Sequence, residues 1–439
     1  MRGIDALSVF PASARARDSG HLEIGGVDAV DLARTRGTPL YVFDEQELRE
    51  AARRFRAALT RHYPGESAII YASKAFSNVA LFRVLAEEGV GFDVVSGGEM
   101  AVTEAAGVDP ANVHFHGNNK SETELERAVE AGLGAIVVDN LHELSLLDAI
   151  LTRTGRTQRV SLRVSPGVDP HTHAHTTTGV LDSKFGLAIQ TGQAEQAVAR
   201  AVESPRLDLA GLHFHLGSPI FEREPYAEAI RVTMDFAARM KTEYGFIMKL
   251  FSPGGGFAVN YLVSDEAPSA DHYMETISRA IIQGCDVHGL EIPAISIEPG
   301  RSVVGTAGVA LYTVGATKTL PDIRTYVSVD GGMGDNIRPA IYGSRYEAVL
   351  ASRMADAEEV TVTIAGKYCE SGDILVRDCS LPVPAAGDVL AIPVSGAYCL
   401  AMSSTYNANP RPEVALVSDG QARTIRRRET YDDLMRLDV

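Results

Sequence analysis

The stretch "AIIYASKAFSNVALFRVLAEEGVGFDVVS", residues 68–96, decides the fold because it contains a strand, a helix and a second strand in that order. Its first run, "AIIYA", is short and β-rich, and "NVALFRVLAEE" has apolar residues at helical spacing. A second short apolar run, "VGFDVV", then follows. Strands that alternate with helical patterns predict a parallel sheet.

The same alternation continues from about residue 65 to about residue 305 and gives eight β-rich runs. They occupy residues 68–75, 90–96, 113–117, 135–139, 160–166, 209–218, 249–256 and 294–301. Eight strands, each followed by a helix, over roughly 240 residues are the count and length of a TIM (β/α)8 barrel. A doubly wound open sheet is the alternative, because a sequence does not reveal strand order.

The pattern changes after about residue 310 to strands separated by Gly, Pro and Asp turns, which predicts a mostly antiparallel β domain. We expect two short N-terminal runs, "HLEIGGV" and "PLYVFD", to join it. The predicted domains are an N-terminal segment at residues 1–45, a barrel at 46–308 and a C-terminal β domain at 309–439.

Composition limits the possible partners. The net charge of −16 argues against nucleic acid or an anionic membrane surface as the main partner. The four cysteines have no CxxC spacing, and no apolar run reaches the about 18 residues of a membrane span. We therefore predict a cytoplasmic protein with reduced thiols and no membrane partner.

Polar residues fall at the predicted carboxyl ends of the strands, where TIM barrels carry their chemistry. They are Lys74, Asp93, His116, Arg163, His215, Gly254–Gly256 and Glu298–Arg301. A partly desolvated Lys74 is a candidate Schiff-base lysine, and "SPGGGF" is a candidate phosphate cradle. Together they favour pyridoxal phosphate, with Glu298 paired to the pyridine nitrogen.

Histidine pairs leave a metal site open as an alternative. "HFH" occurs at 114–116 and 213–215, and "HTHAH" at 171–175. HxH on a strand places both rings on one face, as in metal-dependent TIM-barrel hydrolases. In those enzymes the first strand carries the HxH, whereas here it carries Lys74, so we predict no metal.

Several longer motifs resemble the diaminopimelate decarboxylase family, pyridoxal-phosphate decarboxylases of the alanine-racemase-like fold. The resemblance runs from about residue 20 to the end of the chain. Its motifs are "YASKAFSN", "GFDVVSGGEM", "HFHGNNKS", "TGVLDSKFG", "GLHFHLGS", "SPGGGFAVNY", "EPGRSVV", "VDGGMGDNIRPAIYGSRYEA", "GKYCESGD" and "SGAYCLAMSSTYNANPRP".

The resemblance implies a role for each matched residue. Lys74 would bind the cofactor aldehyde, His215 would stack on its ring, and Glu298 would meet the pyridine nitrogen. The remaining cofactor contacts would be Asp93, Arg163, Ser218, Gly255, Gly256, Gly300, Arg301 and Tyr398. Substrate would be bound by Arg301, Arg338, Tyr342, Glu370 and Tyr398.

The resemblance also implies a homodimer with shared active sites. "GKYCESGD", residues 366–373, would enter the site of the partner subunit, where Cys369 would donate a proton and Glu370 would bind the distal ammonium. The implied reaction converts meso-2,6-diaminopimelate to L-lysine and CO₂. Two residues depart from the family pattern, Pro219 and Thr405, so a decarboxylase of another diamino acid remains the nearest alternative.

Two further alternatives are disfavoured by residues that the chain retains. A non-catalytic homologue would typically lose the lysine or the cysteine, whereas Lys74 and Cys369 are both present. A racemase of the same fold would need a second base opposite the lysine, whereas "CESGD" supplies a proton donor.

Overall fold

The computed structural model describes residues 3–169, 183–357 and 359–439. The chain divides into two compact units. One comprises Met1–Ala51, Val259–Glu266 and Arg301–Val439, and the other comprises Ala52–Ala258 and Ala267–Gly300. Among the described residues, no helix combines the length and the apolar character that crossing a membrane requires.

The second unit is a closed barrel of eight parallel strands. In chain order, β1 to β8 are Ser67–Ala72, Gly91–Val94, Val113–Phe115, Ala135–Val138, Gln158–Ser165, Leu207–His213, Leu250–Gly254 and Ala294–Ile297. Each strand pairs with its neighbours, and β8 returns to β1 with Ile297 opposite Ile69. This closure confirms the TIM barrel and excludes the open sheet.

Helices follow the strands around the barrel. They are Val79–Glu87, Gly97–Ala106, Glu122–Ala131, Leu141–Thr154, Gln193–Glu203, Glu224–Tyr244 and Ala270–His288, with Glu45–His62 before β1 and a short Arg301–Val304 after β8. The first of them packs Phe82 against Phe92 of β2, with ring centroids 4.5 Å apart. Its N-terminus is capped by Asn78, which accepts hydrogen bonds from the amides of Ala80 and Leu81. The turn between β1 and this helix, where Lys74 lies, is therefore fixed at both ends.

The first unit contains a nine-stranded, mostly antiparallel sheet. Its main path runs Ile374–Leu381, Val360–Ala365, Arg324–Val329, Gly308–Leu320, Leu40–Asp44, Glu413–Ser418 and Gln421–Arg426; Val389–Ile392 pairs with Gly308–Leu320 and with Val349–Leu350. The N-terminal run "PLYVFD" thus joins the β domain, as predicted, and its strand lies in the interior of the sheet. This unit also contains helices Ala29–Arg36, Arg338–Tyr342 and Tyr431–Met435.

The run "HLEIGGV" belongs to the same unit but forms a sheet of its own. Its strand Leu22–Ile24 pairs with Arg15–Ala16 on one side and with Val27–Asp28 on the other, in a separate three-stranded sheet. The two glycines between its strands have φ of 58° and 81°, so the run folds back on itself instead of extending into the large sheet.

Candidate active site

A cavity of about 600 Å³ lies at the carboxyl ends of the barrel strands. The sequence predicted six of the residues that line it, which are Lys74, Asp93, His116, Arg163, His215 and Glu298. The lining also includes His213 and Phe185, for which no cofactor role was predicted. Parallel strands deliver these side chains to one end of the barrel because all their carboxyl ends point the same way.

Lys74 lies in a single 3₁₀ turn, Ser73–Ala75, directly after β1. The amide of Ala72 donates to the carbonyl of Pro299 at 3.2 Å. A Cβ on Gly300 would be 3.0 Å from the Cβ of Ala72, so glycine permits this close approach. Lys74 itself is exposed, contrary to the partial desolvation that we expected at the end of an apolar strand.

Glu298 is the buried acid of the cavity. Its carboxylate accepts a hydrogen bond from Ser252 Oγ at 2.8 Å and lies 3.0 Å from His213 Nε2 and 3.7 Å from His116 Nε2. Burial acts to raise the pKa of Glu298, but the charge and hydrogen bond of His213 outweigh it and hold that pKa well below its usual value. Glu298 is therefore ionised.

Asp93, in contrast to Glu298, is protonated at neutral pH. Burial, assisted by the nearby charge of Glu298, raises the pKa of Asp93 to about 8, although Lys74 acts to lower it. One carboxyl of this pair is thus ionised and the other keeps its proton at neutral pH. Arg163 lies beside them, 3.8 Å from Asp139 and 4.4 Å above the ring of Phe185.

The glycine turn after β7 is packed against its neighbours. A Cβ on Gly255 would lie 1.9 Å from the carbonyl oxygen of Glu298. Gly256 has φ of +105°, and a Cβ there would lie 2.3 Å from the carbonyl oxygen of Gly217. The close approach of these two carbonyl oxygens therefore requires glycine at both positions, whatever the turn binds.

The amides of this turn differ in how they are used. Gly255 N–H donates to His215 Nδ1 at 3.3 Å, which places the proton of that neutral ring on Nε2. Among the described residues, Gly256 N–H makes no hydrogen bond, so it is available to an anion. Ser218, another predicted phosphate contact, is exposed.

The other predicted residues belong to the first unit. Arg301 donates to Tyr261 Oη at 2.5 Å, and its guanidinium lies 4.8 Å from the ring of Tyr398. Arg338 donates to the same phenol at 2.8 Å. Tyr398 has φ of 63°, an uncommon backbone conformation for a residue with a side chain.

The segment Gly366–Asp373 forms a pinned turn with an exposed tip. Asp373 accepts hydrogen bonds from the amides of Tyr368 at 2.8 Å and Met333 at 2.6 Å. Cys369 and Glu370 are exposed at the tip, and Cys369 N–H donates to Asn407 Oδ1 at 2.8 Å. The predicted substrate residue Tyr342 is 64% exposed.

One histidine from each "HFH" run belongs to a cluster that could hold a metal ion. His116, His213 and Glu298 offer ligand atoms that lie within 4.8 Å of one another. The "HTHAH" run at 171–175 lies outside the described residues. Sequence reasoning placed His213 in a histidine pair, but the pair gave no indication that Glu298 would be its partner.

Comparison with known proteins decides the class. The family described as "Pyridoxal-dependent decarboxylase, pyridoxal binding domain" matches residues 45–305. The chain is thus a pyridoxal-dependent decarboxylase, and pyridoxal phosphate is its cofactor. The cavity fits that cofactor, because its lining contains an accessible lysine and an ionised buried carboxylate. The glycine turn with a free amide adjoins this lining at His215.

The matches extend over nearly the whole chain. It is 46% identical over 428 residues to diaminopimelate decarboxylase of Bacillus subtilis, covering 97% of each. It is also 44% identical over 430 residues to the enzyme of Halalkalibacterium halodurans, covering 98% of each. The structure of diaminopimelate decarboxylase from M. jannaschii with L-lysine matches with a TM-score of 0.93 and 35% identity, covering 100% of this chain and 99% of that one.

The chain therefore belongs to the diaminopimelate decarboxylase family. This assignment decides against the metal-dependent hydrolase that the histidine pairs had left open.

Proposed function

We propose that this protein removes one carboxylate of meso-2,6-diaminopimelate as CO₂ and releases L-lysine. The observation that carries the proposal is the cavity of the barrel, where Lys74 and ionised Glu298 occur together in a chain of this family. The four cysteines form no disulfide, which supports a cytoplasmic location.

Pyridoxal phosphate supplies an electron sink when it is bound. Lys74 offers the amine for its aldehyde, and Glu298 offers a negative charge for its ring nitrogen. His215, Asp93 and Arg163 would lie beside its ring. Its phosphate would be held by Ser218, Gly255, Gly256, Gly300, Arg301 and Tyr398.

The proton that replaces CO₂ comes from Cys369 of a second copy of the chain. Loss of CO₂ leaves an electron pair on the substrate carbon, which takes the thiol proton, and water then reprotonates the thiolate. The exposure of Cys369 supports this role, because an exposed thiol is accessible to another subunit.

Substrate recognition is assigned to Arg338, Arg301, Tyr342, Glu370 and Tyr398. Arg338 is buried, and no ion pair joins it to an acid in the described part of the chain. A buried guanidinium is best stabilised by a carboxylate, and the second carboxylate of diaminopimelate provides one. Diaminopimelate is therefore favoured over a diamino acid that lacks a second carboxylate.

Borohydride reduction of the holoenzyme tests the cofactor assignment, since it fixes pyridoxal phosphate to its lysine. Peptide mass mapping should find the pyridoxyl group on Lys74. Incubation with meso-diaminopimelate should release lysine and CO₂ in equal amounts. Modification of another lysine would remove the role of Lys74, and the absence of lysine release would remove the substrate assignment.

Replacing Arg338 with Ala separates the substrate hypotheses. We expect kcat/KM for diaminopimelate to fall about 100-fold or more, because a charge-assisted bidentate contact is lost. Arg345→Ala is the control, because Arg345 lies in the same segment and has no role in the proposed site. Unchanged kinetics for Arg338→Ala would favour a substrate without a second carboxylate.

A further inference from the structure

Two buried arginines in the first unit converge on one phenol. Arg301 and Arg338 are each 6% exposed, and Tyr261 is 9% exposed. Tyr261 Oη accepts a hydrogen bond from Nη1 of Arg301 at 2.5 Å and from Nη1 of Arg338 at 2.8 Å. Since a phenol oxygen has two lone pairs, these two guanidinium groups use both of them.

The contacts of Arg338 define which edge of its guanidinium remains available. Nη1 carries two hydrogens, and it donates to Tyr261 Oη and also to Tyr346 Oη at 2.6 Å. Within the described ranges, the Nε and Nη2 groups of Arg338 make no hydrogen bond. Those two groups form the planar fork that binds a carboxylate in bidentate fashion.

Tyr261 is itself held in place by its own loop. The amides of Tyr261 and Leu262 both donate to Asp265 Oδ2 at 2.9 Å, and the amide of Val263 donates to Glu347 Oε1 at 3.0 Å. The ring of Tyr261 also meets that of Tyr346 edge to face, with centroids 5.2 Å apart. The phenol is therefore fixed independently of any ligand, as a support for a binding group has to be.

We propose that Tyr261 is a positioning residue for substrate specificity. It fixes the guanidinium of Arg338 so that the Nε–Nη2 edge faces the carboxylate that the substrate keeps after decarboxylation. This inference rests on the proposed function, because it assumes that Arg338 binds that carboxylate. Tyr261 acts only through the arginines.

L-Lysine and cadaverine test the proposal, because both carry two amines on a five-carbon chain and only lysine has a carboxylate in addition. Their dissociation constants are measured on the wild-type holoenzyme and on Tyr261→Phe by spectral titration. We expect the variant to bind lysine roughly tenfold more weakly, since hydrogen bonds to charged groups are lost, and to bind cadaverine as the wild type does. In assays with diaminopimelate, KM should rise more than kcat falls.

Tyr63→Phe is the matched control, because it removes another buried phenol hydroxyl, one that donates to the carbonyl of Pro293 at 2.6 Å. This control should keep the wild-type ratio of lysine to cadaverine affinity. Retention of that ratio by Tyr261→Phe would overturn the proposal, as would an equal loss in Tyr63→Phe. A wild-type enzyme that binds both ligands equally would instead refute the proposed carboxylate recognition by Arg338.

Discussion

The charge of Glu298 depends on its immediate neighbours more than on its burial. A carboxyl group buried in the barrel would ordinarily hold its proton, as Asp93 does. Glu298 differs because His213 Nε2 and Ser252 Oγ both lie within hydrogen-bond distance of its oxygens. These contacts keep an anion in the cavity, which the proposed role of Glu298 toward the ring nitrogen requires.

Replacing His213 with Leu should change the pH dependence of the reaction. The pKa of Glu298 is held below its ordinary value, so the ionised form is present above that pKa and is lost as the pH falls through it. Without His213, less of the pKa increase caused by burial is cancelled, so the pKa of Glu298 rises. The acid limb of kcat/KM should then move up by roughly one pH unit or more.

The control for this experiment is His288→Gln. His288 also pairs with a carboxylate, Asp235, with Nε2 and Oδ1 2.7 Å apart, but this pair joins two helices and is partly exposed. Its profile should coincide with that of the wild type. An unshifted acid limb in His213→Leu would mean that another group controls the charge of Glu298.

Residues at strand ends were predictable, whereas their partners were not. Lys74, Asp93 and Glu298 could be found because each follows an apolar run, and parallel strands bring such positions to one edge. Tyr261 and Ser252 had no such signal, because a hydrogen-bond partner depends on loop conformation and strand register. The exposure of Lys74 was likewise not evident from the apolar residues that precede it.

At the level of single elements, the end of β7 is restricted by its neighbours. The Cβ positions of Gly255 and Gly256 are blocked by carbonyl oxygens of the adjacent segments. The glycines thus allow this turn to lie between its neighbours. The Gly256 amide that is available to an anion is a consequence of this packing.

Gly255→Ala should weaken cofactor binding. The added Cβ would be 1.9 Å from the carbonyl oxygen of Glu298, so the strand end must move. We expect the dissociation constant of pyridoxal phosphate to rise about tenfold or more, as after loss of one or two hydrogen bonds to a charged group. Fluorescence titration of the apoenzyme measures it.

Gly98→Ala is the control for the glycine substitution. A Cβ on Gly98 would meet nothing closer than Ser96 Oγ at 3.6 Å, which is ordinary contact. Since alanine is favoured in a helix, this variant should bind the cofactor normally and be slightly more stable. Normal binding by Gly255→Ala would argue against a phosphate role for the turn.

The loop after β3 is anchored by a buried ion pair. Lys120 Nζ lies 2.7 Å from Glu143 Oε1 and donates to the carbonyls of Gly117 and Val137, each at 2.8 Å. The first of these carbonyls follows His116 directly, so the pair fixes the segment that carries His116 into the cavity. This is a structural use of the lysine in "HFHGNNKS".

Lys120→Met should lower the free energy of unfolding by about 3–5 kcal/mol, because it leaves Glu143 buried without its partner. Denaturant unfolding measures the change. Arg153→Ala removes two surface ion pairs, to Glu122 at 3.2 Å and to Glu126, and each should contribute only about 0–1 kcal/mol. Equal losses of unfolding free energy in the two variants would show that the buried ion pair contributes no more to stability than the surface pairs do.

Elements were predicted well where periodicity was strong. All eight barrel strands lie within or overlap the predicted runs, because each run alternates with an amphipathic helix. The run "HLEIGGV" also forms strands, but they lie in a small sheet of their own and not in the large one. Sheet membership depends on which edge a strand reaches, and short runs carry no information about that.

At the level of the whole molecule, the proposed reactive groups are divided between the two units. Lys74 belongs to the barrel unit, whereas Cys369 belongs to the β unit, at the exposed tip of the turn that Asp373 pins. Tyr342 is also exposed. Exposed side chains with proposed roles in a shielded reaction are readily explained if a second copy of the chain covers them.

A complementation experiment tests whether active sites are shared. Lys74→Ala and Cys369→Ala should each be nearly inactive alone. If Cys369 acts in the site of the partner, a heterodimer of the two variants has one site with both residues intact. Random association makes half of the dimers mixed, so co-expression should restore about a quarter of wild-type activity. If both residues act within one chain, no mixture regains activity, and the shared site would be refuted even if the protein is a dimer.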